Sequence, residues 1–128
     1  MALQLSWVGP CKKDGVSGSP KANGVYVLWV SNADRGWYAY YIGEGDIHDR
    51  LTTHYSDHEP DECIKRKAQF KGRYSYALTP KLTRNQRRGV ERALIEHYET
   101  LTTNRKGGCN DLLHDVQVFD VTLPDVPG

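Results

Sequence analysis

The amino-acid sequence predicts a small α/β domain built on a three-stranded, mostly antiparallel sheet flanked by helices. Two apolar runs, at residues 24–30 and 37–42, are separated by a short polar turn and predict a β-hairpin. A third run, at residues 73–78, alternates between apolar and polar side chains as strands do. Residues 83–101 repeat apolar side chains at three- and four-residue steps, which is typical of an amphipathic helix.

The hairpin is the best supported of these elements. Its first strand starts at Gly24 and reads GVYVLWV, and its second reads WYAYYI from Trp37. Both runs are rich in aromatic and β-branched residues, which suit a pleated and half-buried strand. The polar turn between them covers residues 31–36. Tyr26 and Tyr41 are therefore expected on neighbouring strands.

A tight turn and a helix are predicted directly after the second strand. Gly43 and Gly45 punctuate the chain, and Asp46 can serve as the N-cap of a helix. Arg50 and His54 then lie on one helical face, about one turn apart. Backbone amides at such a glycine-rich turn can bind an anion such as phosphate, with Arg50 adding a planar cation and His54 a proton donor or acceptor. The alternative is a surface helix that merely carries these two side chains.

The remaining segments include one long helix and several loops. Thr83 is the expected N-cap of the long helix. The apolar stripe of this helix comprises Val90, Ala93, Leu94, His97, Tyr98 and Leu101, so His97 is expected to be partly buried rather than a ligand. Residues 2–23 are predicted to be loop-rich, with Leu3, Leu5 and Trp7 as the alternative start of a short edge strand. Residues 57–62 are predicted to be an exposed loop, and residues 64–70 a short helix or an irregular segment. Alternation at residues 116–123 predicts an accessory C-terminal strand.

Size and composition indicate one domain spanning residues 1–128. The sequence has neither a membrane-length apolar run nor a signal peptide, so we expect a cytoplasmic protein. Three cysteines at wide spacings favour reduced thiols over a disulfide framework. A zinc site formed by His54, His58 and Cys63 is a weaker alternative, because no fourth ligand lies nearby in the sequence.

The charged residues are strongly segregated along the chain. Residues 64–92 contain a single acid, Glu91, and the following basic residues: Lys65, Arg66, Lys67, Lys71, Arg73, Lys81, Arg84, Arg87, Arg88 and Arg92. A basic block of this density is typical of nucleic-acid-binding proteins, although a solvated basic helix face has the same composition. Glu91 is either an ordinary ion-pair partner of Arg87 or a hard oxygen ligand for Mg²⁺ or Mn²⁺.

The motifs GVY in the first strand and YIG in the second, followed by Arg50 and His54, resemble those of the GIY-YIG nuclease superfamily. The resemblance covers about residues 24–104 and includes the helical segment that begins ERALI at Glu91, with Asn104 as the later asparagine. Two features depart from the family pattern. The spacing from Tyr41 to Arg50 is slightly shorter than in most members, and Glu44 occupies a position where some members have a catalytic lysine.

The resemblance implies a metal-dependent endonuclease that hydrolyses phosphodiester bonds in duplex or branched DNA. Glu91 would hold one divalent ion, Mg²⁺ or Mn²⁺, and Arg50 would stabilise the transition-state charge. Tyr26 would orient or deprotonate the water with His54 sharing the proton, while Tyr41 would position the phosphate. Tyrosine can act as a base only if nearby cations favour its phenolate.

Four further residues have expected roles outside the reaction itself. Arg84, Arg87 and Arg88 are the expected nucleic-acid contacts on the long helix. Asn104 is expected to brace Glu91 or the turn after its helix. The competing hypothesis is a nucleic-acid- or partner-binding module that keeps the fold without catalysis, in which Tyr26 and Tyr41 are ordinary core aromatics.

Overall fold

The structure is a computed structural model, and it describes residues 3–103, 107–111, 115–118 and 120–128. Its strands are β1 (Trp7–Cys11), β2 (Asn23–Asn32), β3 (Gly36–Asp46) and β4 (Arg73–Leu78), and its helices are α1 (Ile47–His54), α2 (Glu62–Ala68) and α3 (Arg84–Tyr98). A short 3₁₀ segment, Lys13–Gly18, follows β1. The predicted α/β class, the hairpin and the helices α1 and α3 are confirmed.

The sheet has four antiparallel strands in the order β1-β4-β2-β3. The three predicted strands are its core. The fourth, β1, is an edge strand that begins at Trp7 in the N-terminal segment, where the sequence favoured a loop and offered a short edge strand as the alternative. The predicted C-terminal strand is wrong. Within residues 115–118 and 120–128, the only pairing is an isolated bridge between Val121 and Leu3. One bridge fixes too few hydrogen bonds to extend the ladder beyond β1.

The sheet separates two apolar clusters, one on each face. Tyr26, Leu28 and Val30 of β2 point to the face covered by α1 and α2, where they pack with Leu51 and Ile64. The intervening side chains of β2 point to the face covered by α3, where Val27 and Trp29 pack with Val90, Leu94 and Ile95. This alternation is the period of a strand buried on both faces. It explains why β2 reads as a nearly continuous apolar run.

Helix α3 begins as predicted. The Thr83 hydroxyl accepts a hydrogen bond from the Gln86 N–H, and the Gln86 side chain accepts from the Thr83 N–H, which completes a capping box. The helix ends at Tyr98, three residues earlier than predicted, and its C-cap Glu99 adopts a left-handed conformation. His97 is exposed, so the prediction of partial burial is wrong. Ile95 takes the buried position instead.

A disulfide joins Cys63 of α2 to Cys109, and Cys11 is a free thiol. The expectation of three reduced thiols is therefore wrong, because folding brings together two cysteines that are 46 residues apart in the sequence. The same bond excludes the zinc alternative, since Cys63 is no longer available as a ligand. No helix among the described residues combines the length and the apolar character needed to cross a lipid bilayer.

Candidate active site

The site is built around an irregularity in the hairpin. Leu28 of β2 pairs with Tyr41 of β3, but the next residue, Trp29, pairs with Ala39, so that Tyr40 is an extra residue in β3. Such a β-bulge changes the direction in which the neighbouring side chains point. Tyr40 and Tyr41 consequently both contact the cluster that contains Tyr26. The rings of Tyr26 and Tyr41 lie 6.2 Å apart, which confirms that they sit on neighbouring strands.

Helix α1 brings Arg50 and His54 to these tyrosines. Its N-cap is Asp46, as predicted, and the Asp46 carboxylate accepts a hydrogen bond from the Asp49 N–H. His54, at the end of the helix, is buried, and its ring lies 5.2 Å from that of Tyr41. Arg50 is exposed one turn earlier and makes no hydrogen bond or ion pair with the residues that the structure describes. Its guanidinium is therefore available to an anion.

The predicted tight turn with an anion-binding backbone is wrong. Strand β3 continues through Gly43 and Gly45 and stays paired with β2 until it enters α1. The first amides of the helix are occupied by the chain itself. The Ile47 N–H donates to the Ala22 carbonyl, the His48 N–H to the Pro20 carbonyl, and the third amide to Asp46. Arg50, rather than the backbone, is thus the candidate anion-binding group at this end of the helix.

A buried chain of hydrogen bonds links three side chains. The Tyr26 hydroxyl oxygen lies 2.6 Å from His54 Nε2, and His54 Nδ1 lies 2.9 Å from Glu59 Oε2. The other Glu59 oxygen accepts a hydrogen bond from the Asp61 N–H at 3.1 Å. Because a carboxylate can only accept, His54 Nδ1 carries the proton towards Glu59. Nε2 of the neutral imidazole is then the acceptor for the Tyr26 hydroxyl proton.

Glu59 is the residue that sequence reasoning missed. The segment 57–62 was predicted to be an exposed loop, but Glu59 is only 5 % exposed, so this prediction is wrong at that residue. An acid next to Pro60 in an acidic stretch carries no periodic signal that distinguishes it from its exposed neighbours. The only available clue was its position five residues after His54, at the end of a predicted helix. Burial of Glu59 depends on how the loop folds back onto α1.

Burial controls the protonation of the linked groups. It raises the pKa of Tyr26 well above 10, with a further increase from Tyr41, while the Arg50 charge acts in the opposite direction. Burial followed by the Glu91 charge raises the pKa of Tyr41 to about 12. The pKa of His54 is lowered by burial, although the Glu59 carboxylate opposes this. At neutral pH, both tyrosines are therefore phenols and His54 is neutral.

Glu91 acts on this cluster from the opposite side of the sheet. Helix α3 packs mainly against β3, the edge strand, on the face away from α1. Glu91 is only 8 % exposed. The negative charge of Glu91 raises the pKa of both Tyr26 and Tyr41.

The donor chemistry of Glu91 fits a magnesium or manganese ion. Among the described residues, no three His, Cys, Asp or Glu side chains are grouped in a way that could hold a metal. Mg²⁺ does not require such a cage, because it commonly binds through one or two carboxylates together with water and substrate phosphates. A single buried carboxylate whose charge acts on Tyr26 and Tyr41 meets that requirement. Glu91 is thus the candidate metal ligand of the site.

The arginines predicted to contact nucleic acid are placed in different environments. Arg87 Nε donates to Glu44 at 3.0 Å, and its guanidinium also donates to the Leu82 carbonyl. These contacts occupy Arg87 and tie α3 to the end of β3. The Arg84 side chain is 77 % exposed, with Nε 3.8 Å from Glu44. Arg88 is half-buried.

Gly43 is required by the position of Tyr26. A side-chain carbon at Gly43 would overlap the hydroxyl and ring of Tyr26, which crosses directly over it from the paired strand. The glycine of the YIG motif therefore has a steric function here. It leaves the space through which the Tyr26 hydroxyl reaches His54.

Asn104 lies outside the described residues. A different asparagine braces β3 in the part of the chain that the structure describes. The Asn110 side chain accepts from the Ile42 N–H at 2.9 Å and donates to the Ile42 carbonyl at 2.8 Å, and the Thr100 hydroxyl also donates to it. These bonds satisfy the outer edge of β3 beside Tyr41 and Gly43, and so hold the strand that carries the site.

Comparison of the chain with protein-family models, curated proteins and solved structures found no match.

Proposed function

We propose that this protein is a metal-dependent endonuclease that hydrolyses phosphodiester bonds in DNA by the chemistry of the GIY-YIG superfamily. The single observation that carries the proposal is the buried chain from Tyr26 through His54 to Glu59. It lies beside an exposed arginine and within electrostatic range of a buried glutamate. A single hydrogen-bond partner would satisfy a purely structural tyrosine. Here the partner, His54, is itself hydrogen-bonded to a buried carboxylate, so a proton can pass from Tyr26 to His54.

The path solves a difficulty that the raised pKa of Tyr26 creates. The buried Tyr26 hydroxyl stays protonated at neutral pH, so Tyr26 is not a phenolate base before the reaction begins. It can accept a proton from water if it passes its own hydroxyl proton to His54 Nε2 in the same step. The imidazolium that forms is stabilised by Glu59, as in a catalytic triad. Tyr26 thus relays the proton, and His54 is the final acceptor.

In the reaction, the water oxygen forms a bond to phosphorus and the bond from phosphorus to the 3′ oxygen breaks. One water proton moves to Tyr26 while the tyrosine proton moves to His54, and the departing 3′ oxygen takes a proton from solvent. Arg50 stabilises the negative charge that develops on the phosphoryl oxygens. Tyr41 has a neutral hydroxyl at this pH and donates a hydrogen bond to the phosphate.

Glu91 is the residue that would hold the divalent ion. A bound Mg²⁺ or Mn²⁺ supplies Lewis-acid stabilisation of the phosphoryl and leaving oxygens. Arg84 and Arg88, further towards the start of α3, would contact the DNA backbone beyond the reacting phosphate. Because the charge of Glu91 acts on Tyr41, a cation held by Glu91 would also offset the repulsion between this carboxylate and a phosphate.

A second candidate function is a DNA- or partner-binding module without catalysis. The observation in its favour is the burial of Tyr26, which is only 1 % exposed. A tyrosine with so little accessible surface is also what a structural core requires. In that case His54 and Glu59 would serve only to satisfy its hydroxyl.

Cleavage assays separate the two functions. Single-stranded, duplex, branched and flapped DNA, and RNA, are incubated with the protein in Mg²⁺ or Mn²⁺ and in EDTA. The proposal expects metal-dependent cleavage of DNA that ends in 5′-phosphate and 3′-hydroxyl groups. Absence of cleavage of every substrate, with binding retained, would favour the module.

Two matched pairs of variants assign the roles. Tyr26→Phe removes the hydroxyl of the proton path, and Tyr40→Phe removes a buried hydroxyl on the same face that has no hydrogen-bond partner among the described residues. Only the former is expected to lose cleavage. Glu91→Gln is expected to abolish metal-dependent cleavage while DNA binding persists, and Glu96→Gln, on the exposed side of the same helix, is expected to cleave normally.

A further inference from the structure

A second feature of the molecule lies at the far end of the hairpin from the candidate active site. A groove of about 260 Å³ opens between the end of the β2–β3 hairpin and helix α2. We call it the hairpin groove. Its lining includes Val30, Asn32, Tyr38, Arg66, Lys67 and Phe70.

The hairpin groove concentrates positive charge from two separate elements. Arg66 and Lys67 come from the last turn of α2, and Arg35 comes from the hairpin turn, with its guanidinium 4.1 Å from the centre of the Tyr38 ring. The pKa of Lys67 is lowered by partial burial and then by the charges of Arg66 and Arg35. Cations at the end of a helix are favoured by its dipole, but the helix alone does not explain why a third cation is held against them. An anion in the groove would relieve this repulsion.

An exposed aromatic ring stands at the same place. Phe70 is 64 % exposed, the largest exposed fraction among the large apolar side chains of the described residues. A planar apolar ring beside a group of cations is the combination that proteins use for single-stranded nucleic acid, in which bases stack on aromatic rings and cations follow the backbone. Bases inside a duplex already stack on one another, so their faces are not available to such a ring.

The hairpin groove lies on the same face of the sheet as the candidate active site. Val30 and Tyr26 are both on β2 and point to the same side, four residues apart. Four residues of a strand span about 13 Å. This length corresponds to a few nucleotides of an extended strand. A strand that enters the active site can therefore continue to the groove.

We propose that the hairpin groove binds an unpaired stretch of a DNA strand, with phosphates on Arg66 and Lys67 and a base stacked on Phe70. The placement of this stretch a few nucleotides from the cleaved bond rests on the proposed function, whereas the binding itself does not. The substrate class is accordingly DNA with an unpaired segment, such as a flap or a branch, rather than a continuous duplex.

The test is binding of the full chain to labelled oligonucleotides in EDTA, followed by fluorescence anisotropy, so that no cleavage intervenes. The probes are a thymine oligonucleotide, a duplex of equal length and a single-stranded RNA of the same length. Wild-type protein is expected to bind the single-stranded DNA most tightly. Phe70→Ala is expected to weaken that binding roughly 5- to 150-fold, the range for loss of one stacked base, with little change for duplex.

A charge-removal variant tests the phosphate contacts. The double substitution Arg66→Gln and Lys67→Gln is expected to reduce the slope of log Kd against log salt by about 1.4, equivalent to two phosphate contacts on a single strand. The matched control, Lys12→Gln with Lys81→Gln, removes the same charge from exposed positions outside the groove. It is expected to leave the Phe70-dependent preference for single strands unchanged.

Several results would overturn the proposal. They are unchanged single-strand binding in Phe70→Ala, equal losses in the groove and control double variants, and tighter binding of duplex or RNA than of single-stranded DNA. Cleavage reports separately on the proposed function. If binding depends on the groove but no substrate is cleaved, the groove proposal stands and the proposed nuclease function is wrong. If the protein cleaves DNA but its binding does not depend on Phe70, the nuclease function stands and the groove proposal is wrong.

Discussion

Replacement of Glu59 by glutamine tests the proton path most directly, because the structure determines how the new amide must be oriented. The Asp61 N–H donates to one Glu59 oxygen, and only the oxygen of a glutamine can accept that bond. The amide NH₂ group of Glu59→Gln is then directed at His54 Nδ1, which must become an acceptor. The imidazole proton therefore moves to Nε2, and His54 can no longer accept the proton of Tyr26.

The expected effect is large for catalysis and small for stability. General-base catalysis typically contributes 10²- to 10⁴-fold, and loss of the correct histidine tautomer in a triad costs about 10⁴-fold. We therefore expect kcat to fall by roughly 10³-fold or more with little change in KM. Both hydrogen bonds of residue 59 are retained with one charge removed, so the free energy of unfolding should decrease by only about 1 kcal/mol.

The assay is single-turnover cleavage of the best substrate from the panel, with thermal unfolding measured on the same samples. Glu62→Gln is the matched control, since Glu62 lies three residues later and is exposed. It should retain wild-type activity. A Glu59→Gln enzyme that cleaves within a few-fold of the wild-type rate would refute the assignment of His54 as the final proton acceptor.

Three further predictions concern Gly43, the pKa of His54 and the disulfide bond. Gly43→Ala places a methyl group where the Tyr26 hydroxyl lies, so it should displace that hydroxyl from His54 and abolish cleavage. It should also lower the free energy of unfolding by about 1–3 kcal/mol. An active and equally stable variant would contradict this prediction. The pKa of His54 is lowered from its usual value near 6.5, so kcat should fall with acid only below that pH. The free energy of unfolding should also decrease as the pH falls from about 6.5 to the lower pKa of the folded state, because the unfolded chain takes up the proton first. A decrease in kcat centred above pH 6.5 would show that another group controls the rate. Reduction of the bond between Cys63 and Cys109, which spans 46 residues, should lower the free energy of unfolding by about 4 kcal/mol and the Tm by roughly 15 °C. An unchanged melting curve in reductant would contradict a stabilising cross-link.

The sequence predicted the elements whose signals are local. The hairpin follows from two β-rich runs around a polar turn. The start of α1 follows from Asp46 and that of α3 from Thr83, because a capping side chain acts on amides within the next three residues. The proximity of Tyr26, Tyr41 and His54 was also predictable, since hairpin pairing and one helical face bring them together.

Other parts of the site depend on contacts between distant residues. The β-bulge at Tyr40 changes which face of the sheet the following side chain occupies. The sequence of β3 alone gives no sign that one strand has an extra residue. The turn expected at Gly43 is absent because β2 offers pairing partners as far as Asp46, so the strand gains more hydrogen bonds by continuing. The pairing of Arg87 with Glu44 likewise joins α3 to β3 across the fold.

The residue types of the candidate chemistry were therefore present in the sequence, but their connection was decided by tertiary structure. Local periodicity and capping identify the strands and helices that carry Tyr26, His54 and Glu91. Whether a given acid is solvated or buried depends on which loop folds back over which helix. Glu59 acquires its place beside His54 in that way, because the free energy of burying a carboxylate is offset only where the folded chain supplies donors to both of its oxygens.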